Sequence, residues 1–296
     1  MSASAAGGLG RAPGSVAVIG AAGMLGTDLV AALGTRARAF TRAELDITDP
    51  EAPLWALDGY EVIVNCAAWT RVDDVETSEE NARLAHEVNA LGPEHLALAA
   101  RAHGARFIQI STDYVFSGNE VRPYAETHPR NPKSAYGMTK SSGEQRALGA
   151  YADGTAVVRT AWLYGAHGSS FPRTMLSLAA SRDTVSVVTD QLGQPTWTVD
   201  LAAQLVALID AGVPAGIYHG TNAGEVSWYG FARRIFELAG LDPERVLPTD
   251  SSAFVRPAPR PAYSVLGHEA WGRIGLAPMR DWDTAITAAF AAGAFA

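Results

Sequence analysis

The stretch Gly20-Ala21-Ala22-Gly23-Met24-Leu25-Gly26 limits what this chain can become more than any other feature. It lies between a β-branched run at 15–20 (SVAVIG) and a segment, 24–33, in which Leu25, Leu29 and Leu33 recur at helical spacing before Gly34 stops the pattern. A glycine triplet means little alone, but between a strand and a helix it has a physical purpose. Small residues let the backbone approach a pyrophosphate, and the free N–H groups at the helix start attract that anion. Gly20, Gly23, Met24, Leu25 and Gly26 are therefore candidate dinucleotide contacts.

The alternation continues. Segments 36–41, 61–66, 106–111 and 155–160 read as strands, and 78–103 and 134–148 as helices, the last announced by Asn131-Pro132 and capped by Ser134. Strands separated by helices predict an α/β fold with a doubly wound parallel sheet, the Rossmann arrangement. After about residue 164 the rhythm loosens. Helices are expected at 171–180, 199–211, 227–239 and 280–292, strands at 183–189 and 216–220, and extended chain at 256–261 (RPAPRP), where each proline restricts its predecessor. The expected organisation is a disordered tail at 1–14 and a dinucleotide-binding domain at 15–165, with 190–220 returning to it. A smaller α/β substrate region would comprise 166–189 and 221–296.

Composition narrows the class. With 296 residues, 48% hydrophobic and 18% charged, the chain can bury a large core and is not globally disordered. A net charge of −8 argues against a nucleic-acid surface. The single cysteine, Cys66, allows no internal disulfide and suits a reducing compartment. No apolar run approaches the roughly 18 residues of a membrane span, so a cytoplasmic protein without membrane contact is expected. The histidines are scattered and no Cys/His cluster has metal spacing, so no metal is expected.

Two further placements bear on chemistry. The second strand ends Phe40-Thr41-Arg42, with no carboxylate before Glu44. An acidic residue there would hold the ribose 2′-hydroxyl of NAD, whereas a basic one accepts a 2′-phosphate. Arg42 therefore points to NADPH, with NADH as the alternative. Tyr136 and Lys140, at i and i+4, share one helix face. An ammonium about 5 Å from a phenol of ordinary pKa about 10 would contribute roughly 3 kcal/mol, or about 2 pK units, at an effective dielectric of about 20. The phenol becomes a usable general acid. Thr112 closes the strand that precedes this helix, where open α/β sheets place ligand groups, and its hydroxyl can donate to a developing alkoxide. Ser111 would face the other way.

In these motifs the chain resembles the extended short-chain dehydrogenases/reductases, and within them the dTDP-4-dehydrorhamnose reductase family. The motifs are the glycine loop, the run 65–73 (NCAAWTRVD), 111–116 (STDYVF), Tyr136 to Lys140, 159–165 (RTAWLYG), 190–196 (DQLGQPT) and Arg260-Pro261. The resemblance implies NADPH-dependent reduction of the C4 ketone of a nucleotide-linked 4-keto-6-deoxyhexose, in rhamnose or antibiotic deoxysugar biosynthesis. Tyr136 would protonate the alkoxide, Lys140 would bind the nicotinamide ribose, and Thr112 would polarise the ketone. It further implies Asp46 and Ile47 near the adenine, Ala67 and Ala68 against the cofactor, Thr70, Val72 and Trp162 lining the sugar pocket, and Gln191 and Arg260 on the nucleotide side.

The chain also departs from the family pattern. Tyr263 stands where an asparagine follows Arg-Pro, Gly168-Ser169-Ser170-Phe171 lacks the usual amide, and Trp69 replaces a tyrosine. These substrate-facing changes leave the sugar open. Some relatives form homodimers bridged by magnesium on glutamates. Asp28 and Asp200 stand at those places, and their shorter carboxylates argue against a bridge while leaving a homodimer open. Three rivals are a 4,6-dehydratase, a 4-epimerase and a non-catalytic cofactor-binding subunit. The first needs a glutamate where Tyr114 stands, the second an acidic residue near Arg42, and the third has no need of Thr112, Tyr136 and Lys140 together.

Overall fold

The computed structural model describes residues 15–296. The expected tail at 1–14 lies outside them. Six parallel strands form the central sheet: β1 (Val16–Ile19), β2 (Ala37–Phe40), β3 (Val62–Asn65), β4 (Arg106–Thr112), β5 (Thr155–Thr160) and Gly216–His219. Their spatial order is Gly216–His219, β5, β4, β3, β1, β2. The winding reverses between β1 and β3, and the carboxyl ends there open the crevice where doubly wound sheets bind ligands.

Helices cover both faces, so the inner strands β1, β3 and β5 are buried along their whole length rather than alternating. On one face the helices Met24–Leu33 and Thr198–Asp210 bring Leu25, Leu29, Leu201 and Leu205 onto Val16, Val18 and Val64. On the other, Gly92–His103 and Ala135–Tyr151 bring Leu96, Ala97, Ala100 and Ala147 onto Ala17, Ile63 and Phe107. A third core, built on Phe231, Ile235, Phe236, Val185, Val246 and Ile286, holds the C-terminal region together. Its short pairs are Val185–Val188 with Val246–Thr249 and Leu192–Gly193 with Val226–Ser227. Among the described residues no helix is long and apolar enough to cross a membrane.

The single helix expected over 78–103 is divided. Glu79–His86 passes through a π-helical turn, Glu87–Leu91, into Gly92–His103. The wide turn brings Asn89 inward, where its amide bonds both backbone groups of Trp69 and the Thr139 hydroxyl. Apolar periodicity does not register one extra residue per turn. The short helices Ala52–Ala56 and Val72–Thr77 and the strand Val246–Thr249 also escaped the periodicity.

Candidate active site

The glycine loop is tight for steric reasons. Gly20 has φ +75°, and a Cβ there would stand 2.6 Å from the Ala67 nitrogen. A Cβ on Gly26 would run into the Gly20 carbonyl oxygen and stand 2.8 Å from Ala21 Cα. Gly20 and Ala21 both donate to the Phe40 carbonyl, which fixes the loop to the end of β2. Beside it lies a cleft of about 290 Å³. Of the residues singled out from the sequence, Gly20, Gly23, Arg42, Asp46, Ile47, Ala67 and Ala68 line it. Met24, Leu25 and Gly26 do not. Leu25 and Gly26 are buried behind the loop, where they hold its backbone in place. A bare-backbone cradle at a helix start, with an arginine at the far rim, fits a dinucleotide.

Ser134 accepts from the Gly137 N–H (3.0 Å) and starts the helix that carries Tyr136 and Lys140, both buried. The two residues closing β4 diverge as the strand pleat requires. Ser111 donates to Glu144 Oε1 at 2.6 Å and belongs to the interior. There Glu144 is paired with Arg159 through two contacts of 2.8 and 2.9 Å, fully buried. Thr112 donates to Asp113 Oδ1 at 2.9 Å and accepts from the Tyr114 N–H at 3.3 Å.

The electrostatics differ from the sequence expectation. The Tyr136 phenol is pushed above its ordinary value, first by burial and then by the Asp113 carboxylate, with the nearby Thr112 hydroxyl opposing them. The lowering expected from Lys140 is not found. The Lys140 ammonium donates to the Ile110 carbonyl at 2.7 Å, and removing the phenolate from water outweighs a charge committed to that contact. Lys140 is itself brought down to about 8 by burial, against the pull of Glu144. Asp113, also buried, is raised to about 6 by that burial, and its Oδ2 has no hydrogen-bond partner among the described residues.

Arg260 comes to this corner. It pairs with Asp73 at 2.9 Å and sits 6.0 Å over the Tyr114 ring, which meets Tyr136 edge-on at 5.5 Å. Val72 opens the helix next to Asp73, half-buried, while Thr70 is exposed. Trp162 adopts φ +47°, costly for an aromatic residue, and stacks on Trp228 at 3.4 Å. A Cβ on Gly193 would meet its indole at 2.6 Å. Gln191 is tied to Ser251 (2.8 Å). Tyr263 donates to Glu225 at 3.0 Å. Asp28 accepts from Thr198, and Asp200 pairs with Arg280 at 2.8 Å. Asp113, Asp73 and Asn89 had not been singled out. The first two lie inside the quoted motifs, which was the available signal, whereas Asn89 gave none.

The model of the RmlD substrate binding domain matches residues 14–294. A dTDP-4-keto-6-deoxy-D-glucose reductase from Streptomyces niveus is 50% identical over 278 residues, 92% of this chain and 95% of that protein. A dTDP-4-dehydrorhamnose reductase from Streptomyces griseus is 50% identical over 284 residues, 93% and 92% of the two chains. The crystal structure of a dTDP-4-dehydrorhamnose reductase from Bacillus anthracis in complex with NADP superposes with a TM-score of 0.89 at 35% identity, covering 94% of this chain and 99% of that one. Glycine cradle, buried tyrosine–lysine helix and similarity along nearly the whole length agree: the chain belongs to the dTDP-4-dehydrorhamnose reductase family of extended short-chain dehydrogenases/reductases.

Proposed function

We propose that the protein reduces the C4 ketone of a dTDP-4-keto-6-deoxyhexose with NADPH, NADH being a second donor. One observation carries this reading: Thr112 and the helix that bears Tyr136 and Lys140 are buried together at the carboxyl end of the sheet that also forms the dinucleotide cleft, with Lys140 donating to the Ile110 carbonyl of the strand that Thr112 closes. Relatives named as reductases of such sugars support it, as does the NADP in the Bacillus anthracis enzyme.

The glycine loop would hold the pyrophosphate, Ala67 and Ala68 the face of the cofactor, and Arg42 its 2′-phosphate. NADPH supplies the hydride. Thr112 donates to the carbonyl oxygen and polarises it. Tyr136, kept fully protonated by burial, delivers its proton to that oxygen as negative charge develops. Its raised value makes it a weak acid in the resting site, so transfer occurs only once the stronger base, the alkoxide, has formed. Lys140 provides the buried positive charge, and Arg260 leaves Asp73 for the substrate diphosphate. The enzyme works in the cytoplasm, alone or as a homodimer.

The test is NADPH oxidation on enzymatically prepared dTDP-4-keto-6-deoxy sugars, with NMR of the product. Tyr136→Phe should lose at least about 100-fold in kcat, the low end of general-acid contributions. Turnover close to the unmodified protein would remove Tyr136 from its role. Bound cofactor without net NADPH consumption would favour an epimerase.

A further inference from the structure

We propose that Glu44 occupies the seat of the cofactor's 2′-phosphate and thereby limits how strongly the protein prefers the phosphorylated dinucleotide. The proposal rests on the cofactor reading above.

Thr41, first residue after β2, lines the cleft at the strand end where the 2′-position of a bound dinucleotide falls. Its backbone N–H and its hydroxyl both donate to Glu44 Oε2, at 2.9 and 3.0 Å. Arg38 donates to the other oxygen, Oε1, at 3.1 Å. An amide, a hydroxyl and a guanidinium converging on one anion make a donor set suited to phosphate. Here the chain's own carboxylate fills it. These bonds, led by the Thr41 amide, hold the Glu44 carboxyl below its usual range, so it stays charged.

Thr41-x-x-Glu44 is also the pattern of a helix capping box. No helix follows for it to cap. Residues 42–44 make a single turn, closed by the Glu44 and Leu45 N–H groups on the Thr41 carbonyl. Arg42 offers the cleft one largely exposed guanidinium, 3.9 Å from Asp46, and solvent screens such a charge. An arriving 2′-phosphate must therefore displace Glu44 from Thr41 and Arg38 or sit beside a like charge. A cofactor with a free 2′-hydroxyl meets no such conflict.

Calorimetric titration of 2′,5′-ADP and 5′-AMP into the full-length protein, Glu44→Gln and the double variant Thr41→Ala/Glu44→Gln tests this without turnover. Glu44→Gln should bind 2′,5′-ADP about fivefold tighter, the scale of one exposed charge contact. Binding of 5′-AMP should stay within about twofold, and the gain should shrink in the double variant. If both nucleotides bind and Glu44→Gln leaves their ratio unchanged or lowers it, the proposal fails and the cofactor reading stands. If no form binds either nucleotide, both fail.

Discussion

Replacing Asp113 by Asn should make stability depend on pH in a direction set by burial. The buried carboxyl accepts from the Thr112 hydroxyl through one oxygen while the other has no partner among the described residues, and it titrates near 6 rather than at the ordinary 3.8. A folded-state value above the unfolded one means the protonated form is the one folding favours. Its contribution is fully present below about pH 4 and is lost as pH rises through about 6. Two pK units at about 1.4 kcal/mol each give roughly 3 kcal/mol. Relative to the unmodified protein, Asp113→Asn should therefore gain about 3 kcal/mol between pH 4 and pH 7.5, whatever the constant offset between them. Urea unfolding followed by intrinsic fluorescence at several pH values measures it. A difference that stays flat with pH, or that grows toward acid, would refute the idea that Asp113 is a buried carboxylate held without adequate partners.

Two other outcomes follow from the same site. Lys140 loses its charge as pH rises through about 8, so kcat/KM for the 4-keto sugar should fall on the alkaline side with that midpoint in a pH–rate profile. Gly26→Ala puts a methyl against the Gly20 carbonyl and Ala21, and should lower stability by about 1–3 kcal/mol by denaturant titration and weaken NADPH binding in the same variant.

The sheet was readable because its order of elements is local information. Residues 15–34 spell strand, glycine turn, helix and stop, and β1 and Met24–Leu33 lie within a residue or so of that reading. The same holds for β5 and for the Ser134 cap, whose hydroxyl accepts the Gly137 amide as its residue type and position suggest. Around Asn89 the reading failed, because a π-helical turn leaves composition unchanged while redirecting one side chain toward Trp69.

The sequence alone determined the winding of the sheet and the placing of Tyr136, Lys140 and Thr112 on their elements, since helical and strand periods are fixed by backbone geometry. It also determined the family, through motifs spread along the chain. Only the tertiary structure decided how those groups are charged. The sequence puts Lys140 one turn from Tyr136, but how far the phenol is desolvated, and which carbonyl takes the ammonium, depends on β4 and on Asp113 packing beneath them. Likewise, Arg260 meets Asp73, distant in the chain, only because the C-terminal region folds back over the sheet. Ionisation and long-range pairing answer to solvent exclusion, and solvent exclusion is a property of the packed molecule rather than of any local run of residues.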